Sequence, residues 1–142
     1  MADQHIVHSF DKDLENLRRA IAEMGGVAEK MLADATTALV RRDQALAQSV
    51  IAADPRLDTL QREIEEKAVL TIARRQPMAS DLREVISAIR ISGDIERIGD
   101  LAKNIAKRVL AISGQFQPQK IVAGVQNLSD LVQEQLTDVL DA

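Results

Sequence analysis

Apolar residues recur along the first forty positions at alternating steps of four and three: Phe10, Leu14, Leu17, Ile21, Met24, Ala28, Met31, Ala35 and Ala38. An α-helix turns once every ~3.6 residues, so this row lies on one face and predicts a single long helix with an apolar seam. Gly25 and Gly26 interrupt the row, and a glycine costs about 1 kcal/mol relative to alanine inside a helix. Since the seam runs on unchanged beyond them, the helix is expected to continue through both. Asp43 has the side chain of an N-cap, and Leu46, Val50, Ala53, Leu57, Leu60 and Ile64 carry the pattern on to about Arg75, predicting a second helix. Pro55, after Asp54, is either the first residue of a new helix or a kink in one longer helix, and the residues leave both open.

Gln76-Pro77-Met78 breaks the pattern, and Ser80 or Asp81 can cap a third helix starting at Leu82. Its apolar positions read Leu82, Ile86 and Ile89, then shift register near Ser92 and Gly93, then follow Ile91, Ile95, Ile98, Ala102, Ile105, Val109 and Ile112. Ser113 and Gly114 end it, Gly114 suiting a left-handed cap. Gln115 to Gln119, containing Pro118, reads as a linker, and a fourth amphipathic stretch follows through Ile121, Val125, Leu128, Leu131 or Val132, Leu136, Val139 and Leu140. Shifting the sequence by about 104 places sets Met24, Val27, Leu32 and Asp34 against Leu128, Leu131, Leu136 and Asp138. The expected architecture is all-α: a three-helix bundle over 1–114, then over 115–142 a linker and the first helix of an incomplete second repeat.

Composition narrows the chemistry. The 142 residues contain no cysteine, tryptophan or tyrosine and two phenylalanines, which removes disulfides, thiolate metal sites and aromatic base-stacking platforms. A net charge of −4 weighs against general nucleic-acid binding, which needs a basic surface to neutralise phosphates. The pairs Arg41-Arg42 and Arg74-Arg75 fall near predicted helix C-termini, where cations complement the helix dipole; Arg18-Arg19 does not. No stretch is apolar for the roughly 18 to 20 residues a membrane span needs, and Met1 to His8 lacks the apolar core of a signal peptide; a cytoplasmic protein is expected.

Catalytic constellations are scarce. The two histidines, His5 and His8, fall in what reads as an N-terminal tail, and no Glu-x-x-His pair suggests a di-iron bundle. Neither a Gly-rich phosphate loop nor a nucleophile elbow is present. What remains is carboxylate placement. Glu96 and Asp100 stand four apart, with Asn104 a turn further, and Asp54 and Asp58 repeat the spacing on the second helix. Like charges at that spacing destabilise an isolated helix by about 0.2 to 0.5 kcal/mol. A bound hard cation with oxygen ligands would account for them. So would a solvated acidic face with Arg97 and Lys103 as counter-charges. At 100° per residue the Glu96–Asp100 row points away from the seam, toward solvent.

The stretch Ser92-Gly93-Asp94-Ile95-Glu96-Arg97-Ile98-Gly99-Asp100-Leu101-Ala102-Lys103-Asn104-Ile105-Ala106 closely resembles the signature of the PhoU family of phosphate regulators, which centres on Glu-Arg-Ile-Gly-Asp followed by Asn-Ile. Phe10-Asp11 with Leu14 and Leu17, Pro77 to Arg83, and the spacing of Asp54, Asp58, Glu63 and Ile64 also resemble it. The resemblance implies a cytoplasmic, non-enzymatic protein built from three-helix repeats. Such a protein holds phosphate signalling repressed when phosphate is plentiful, acting through the ATPase subunit of the phosphate transporter and the sensor histidine kinase. It implies a metal ion, iron or zinc, on Glu96, Asp100, Asp54 and Asp58, with Asp94, Arg97 and Asn104 supporting the site. It also implies a homodimer; the incomplete second repeat adds the expectation that a fourth helix could be exchanged between copies. The alternative is a metal-free helical interaction module, and a remoter one an oxygen-ligated metalloenzyme.

Overall fold

Heptad seams of this length leave one way to remove apolar surface from water: pack the helices side by side along their length. The computed structural model, which describes residues 2–112 and 119–141 and the side chains of 9–112 and 123–141, has that arrangement. Its elements are α1 (Ala2–Arg41), α2 (Gln44–Arg75), α3 (Ala79–Ala111) and α4 (Gln119–Asp141), and no strand occurs among the described residues. α1 begins at Ala2, so the positions of His5 and His8 are helical and not part of a tail. It passes through Gly25 and Gly26 unbroken, as the seam on both sides of them predicts.

The Asp43 carboxylate accepts the Leu46 N–H at 3.0 Å, the N-cap expected of it. Arg42 supplies the turn in the left-handed region at φ 55°. Pro55 sits inside one continuous α2. The break at 76–78 also stands, with Gln76 left-handed at φ 45° and its N–H bonded to the Ile72 carbonyl at 3.0 Å. α3 starts three residues earlier than expected, at Ala79, with Met78 as an N-cap that makes no side-chain bond. Its last turn closes through Ile112 N–H on Arg108 O. The expected cap at Ser113 and Gly114 lies outside the described residues, as do Gln115 to Pro118; Gln119 opens α4 and does not close a linker.

Directions follow from the pairs that touch. Arg75 meets Asp13 and Arg56 meets Glu23, so α2 runs antiparallel to α1. Arg18 bridges to Glu84, and Gly99 lies beside Met31, so α3 runs parallel to α1. α1, α2 and α3 each pack on the other two, whereas α4 packs on α1 alone among the described helices. The core contains Leu17, Met24 and Leu32 from α1, Leu57 and Ile64 from α2, and Val85 and Ile95 from α3, all at 2% exposure or less.

The α3 seam corrects the register reading. The buried residues are Val85, Ala88, Ser92, Ile95, Gly99, Ala102, Ala106 and Val109, an uninterrupted alternation of threes and fours with no shift at Ser92 and Gly93. Small residues hold most of these positions, so the backbone comes close to α1 and α2. Ile91, Ile98 and Ile105 flank the seam half-buried, and Ile86 is exposed. A reading that counts only bulky apolar side chains follows the flank and infers a shift that does not exist.

α4 lies antiparallel on a second face of α1. Leu140 packs on Gly25, the Thr137 hydroxyl donates to Glu29 at 3.2 Å, and the buried Thr36 and Ser129 hydroxyls share a hydrogen bond of 2.6 Å. Under the 104-residue shift Ser129 corresponds to Gly25 and Leu140 to Thr36. Each helix therefore uses corresponding positions against the other, as a two-fold interface does. Leu128, Leu131 and Val139 on α4 remain exposed.

Candidate functional site

α2 and α3 meet along their seams, and one seam position is a carboxylate. Asp54 stands four residues after Val50 and three before Leu57, where a core side chain belongs, and it is 8% exposed; Ala53, the residue expected on the seam, is only half-buried. A carboxylate taken out of water demands a counter-charge or several donors. Lys103 supplies the charge from α3: its Nζ donates to Asp54 Oδ2 at 3.1 Å, with side-chain exposures of 26% and 11% for the lysine and the aspartate. The other oxygen, Oδ1, is buried and has no hydrogen-bond partner. The same closeness of α2 and α3 shows at Gly99, one turn before Lys103, where a Cβ would run into the side chain of Leu57.

Glu96 and Asp100 are half-buried, not turned to solvent as the helical projection suggested, and Asp58 is half-buried as well; Asn104 alone of that row is exposed. The projection erred because it took the seam to run through Ile91, Ile98 and Ile105. With the true seam through Ile95, Gly99 and Ala102, the Glu96–Asp100 row borders the α2 contact. The Glu96 carboxyl titrates above the ordinary glutamate range, first because burial penalises its charge and then because Asp58, Asp100, Asp54 and Glu65 repel it. Lys103 titrates above the ordinary lysine range, chiefly through its hydrogen bond to Asp54 and that aspartate's charge. Asp94 and Arg97 pair with each other at 3.5 Å on the exposed side of α3, away from this cluster. Arg97 is thus the partner of Asp94 and not of Glu96.

The four acids of the sequence reading therefore share one α2–α3 border, joined there by Glu65 and Lys103. Glu65 went unnoticed because it falls outside the i, i+4 pairs. Its signal was its place two turns after Asp58 on the same helix. As the side chains stand, no three carboxylates or imidazoles among the described residues gather closely enough to hold an ion. The donor chemistry fits a hard, oxygen-seeking cation all the same. Asp54 Oδ1 is a buried acceptor with nothing to accept from, and burial first, then the charges of Asp58, Asp100, Asp54 and Glu65, raise the Glu96 carboxyl above its ordinary range. A groove of about 430 Å³ lined by α1, α3 and α4 opens elsewhere, over Leu17, Ile21, Ala88 and Ile91. It contains none of these acids.

Long helices packed along heptad seams, with an ionised pair built into one of them, define an all-α bundle that carries its polar chemistry at a helix–helix border. The chain belongs to the PhoU family: the PhoU domain pattern matches residues 21–109, which include the whole stretch from Ser92 to Ala106. It is 54% identical over 141 residues to the phosphate-specific transport system accessory protein PhoU homolog of Rhizobium meliloti, covering 99% of this chain and 60% of that protein. The namesake from Caulobacter vibrioides is 48% identical over 139 residues, covering 98% and 60%. The crystal structure of PhoU from Pseudomonas aeruginosa superposes with a TM-score of 0.88 at 38% identity, over 94% of this chain and 64% of that one. The chain thus spans about 60% of the length of these curated relatives. No described helix is long and apolar enough to cross a membrane.

Proposed function

We propose that the chain is a regulatory accessory of a phosphate transport system, working in the cytoplasm by binding and not by catalysis. It restrains uptake and starvation signalling when phosphate is plentiful, through contact with the transporter's ATPase subunit and the sensor histidine kinase. The observation that carries this reading is the 54% identity to a protein named as a phosphate-specific transport system accessory protein. The test is complementation. In a bacterium lacking its own relative, expression of the chain should restore repression of a phosphate-starvation reporter in phosphate-rich medium. A reporter that stays fully on, with the protein present and folded, would defeat the reading.

Within that role the border of Asp54, Asp58, Glu96 and Asp100 is a metal site for a divalent or trivalent ion, iron or zinc. The buried, unpartnered Asp54 Oδ1 and the crowding of acids around Glu96 support it. Those four residues would hold the ion, which would act by tying α2 to α3. Elemental analysis of chelator-free protein should find stoichiometric metal that disappears in the Glu96→Ala, Asp100→Ala double variant. The rival is a metal-free interaction module, favoured by the ammonium already bonded to Asp54 and by the carboxylates standing apart. The segment 119–141 is the first helix of a second repeat, a reading that the reciprocal packing of Gly25, Thr36, Ser129 and Leu140 supports. The exposed Leu128, Leu131 and Val139 favour a homodimer, to be read from the sedimentation of the 142-residue chain.

A further inference from the structure

Arg74 and Arg75 end α2, and their side chains go different ways. Arg75 reaches back to α1, where its Nε donates to Asp13 Oδ2 at 3.0 Å. Arg74 instead lines a hollow of about 120 Å³ between α1 and α2, together with Lys67, Leu70 and Thr71 of α2 and Asp13 and Asn16 of α1. Helical spacing builds it: Lys67, Thr71 and Arg74 follow one another at steps of four and three along α2, and Asp13 and Asn16 stand three apart on α1. The side chains of Lys67, Arg74 and Asn16 have no hydrogen-bond or ion-pair partner among the described residues. The hollow thus gathers an ammonium, a guanidinium and an amide, each with N–H groups to spare, which is the lining an oxyanion takes. Its volume is that of about four waters at ~30 Å³ each, room for one tetrahedral ion.

The one carboxylate in the lining decides which ion. Arg75 occupies Asp13 Oδ2 and leaves Oδ1 to accept. Sulfate, which carries no proton at neutral pH, meets only repulsion there. Inorganic phosphate keeps a proton, so its P–O–H donates to Asp13 while its other oxygens accept from Lys67, Arg74 and Asn16. We propose that this hollow is a binding site for inorganic phosphate, held by Lys67, Arg74 and Asn16 and set apart from sulfate by Asp13. The bound ion joins α1 to α2 beside the Asp13–Arg75 bridge, so occupancy fastens this end of the bundle. Its regulatory use rests on the reading of the chain as an accessory of phosphate transport; the binding itself rests on the hollow.

The experiment is NMR titration of the isotope-labelled 142-residue chain with sodium phosphate, and separately with sodium sulfate and O-phosphoserine, at pH 7 and constant ionic strength. Phosphate should shift the Asn16 side-chain amide and the Thr71 and Arg74 backbone amides in a saturable way, with half-saturation on the order of 1 mM. Sulfate should give no such response, and O-phosphoserine, too large for the hollow, a weaker one. Lys67→Gln and Arg74→Gln should each weaken phosphate binding about tenfold, as the loss of one charge-assisted hydrogen bond does. Arg62→Gln removes an exposed cation outside the hollow and should change binding by no more than about twofold. Asp13→Asn should admit sulfate. No saturable shift up to about 20 mM phosphate, shifts that fall elsewhere, or sulfate bound as well as phosphate by the unaltered chain overturns the inference. O-phosphoserine bound more tightly than phosphate overturns it too, and assigns the hollow to a phosphorylated partner. These answers come from the unaltered chain, so they hold even if a variant does not fold. Their failure leaves the reporter test of the regulatory reading untouched, and a reporter that stays on leaves the phosphate site standing.

Discussion

Glu96 gives the clearest test at the level of a single side chain. Its carboxyl titrates above its ordinary value in the folded protein, so the folded state holds a proton that the unfolded chain gives up. Ionising Glu96 therefore opposes folding above the folded-state pKa, and the penalty fades as pH falls through that value toward the unfolded one. Glu96→Gln should raise the urea midpoint at pH 7 and lose that advantage near pH 4, a difference that melts at the two pH values would read. Lys103 runs the opposite way. Its raised pKa contributes stability that is present below the unfolded lysine value, about 10.4, and is lost as pH rises through the folded one. Asp54→Asn should flatten that alkaline decline, and an unchanged decline would mean that Lys103 is held by something other than Asp54. Sequence alone exposed the acids as pairs but not their burial. The missing step was at Asp54, whose distances from Val50 and Leu57 place it on the seam. A charged residue is read by habit as surface, and here Lys103 makes the exception affordable.

Among the elements, α3 shows why most of the fold was legible and its register was not. Helix number, the Asp43 cap and the break at 76–78 all follow from periodicity and local chemistry. The seam of α3 is built from Ser92, Gly99, Ala88, Ala102 and Ala106, which a count of large apolar residues passes over. Glycines sharpen this into a prediction. Gly26 and Gly93 have open space where a Cβ would go, so alanine there should stabilise the helix by about 0.5 to 1 kcal/mol. Gly99 faces Leu57, which is fully buried and cannot swing aside, so Gly99→Ala should destabilise by about 1 to 3 kcal/mol through overpacking. A Cβ at Gly25 would come within 2.5 Å of Leu140, a half-buried side chain near the end of α4, and the alanine variant should fall between the two. Denaturant melts of the four single variants would check the order; equal effects at Gly93 and Gly99 would contradict the close α2–α3 contact.

Among the described residues the molecule is organised around α1, the one helix that touches all the others. α4 is held to it by Leu136, Leu140 and the Thr36–Ser129 bond, with no second described helix packed along it. Local stability follows local burial, so amide hydrogens of α4 should exchange faster than those of α1 to α3. Leu136→Ala should release α4 while leaving the three-helix core protected, as hydrogen exchange by mass spectrometry would show; simultaneous loss of protection in all four helices would make the chain one cooperative unit. That α4 lies on α1 could not be read from its own stripe, which is wide enough to face several neighbours. It became visible only through α1, whose second face of Gly25, Leu32 and Thr36 lies off the seam that periodicity picks out. The pairing of Gly25 with Leu140 and of Ser129 with Thr36 sets a small residue of each helix against a larger one of the other. The two helices are thereby drawn close at both ends of the strip, and a bulkier residue at either small position would wedge that end open while leaving the other shut.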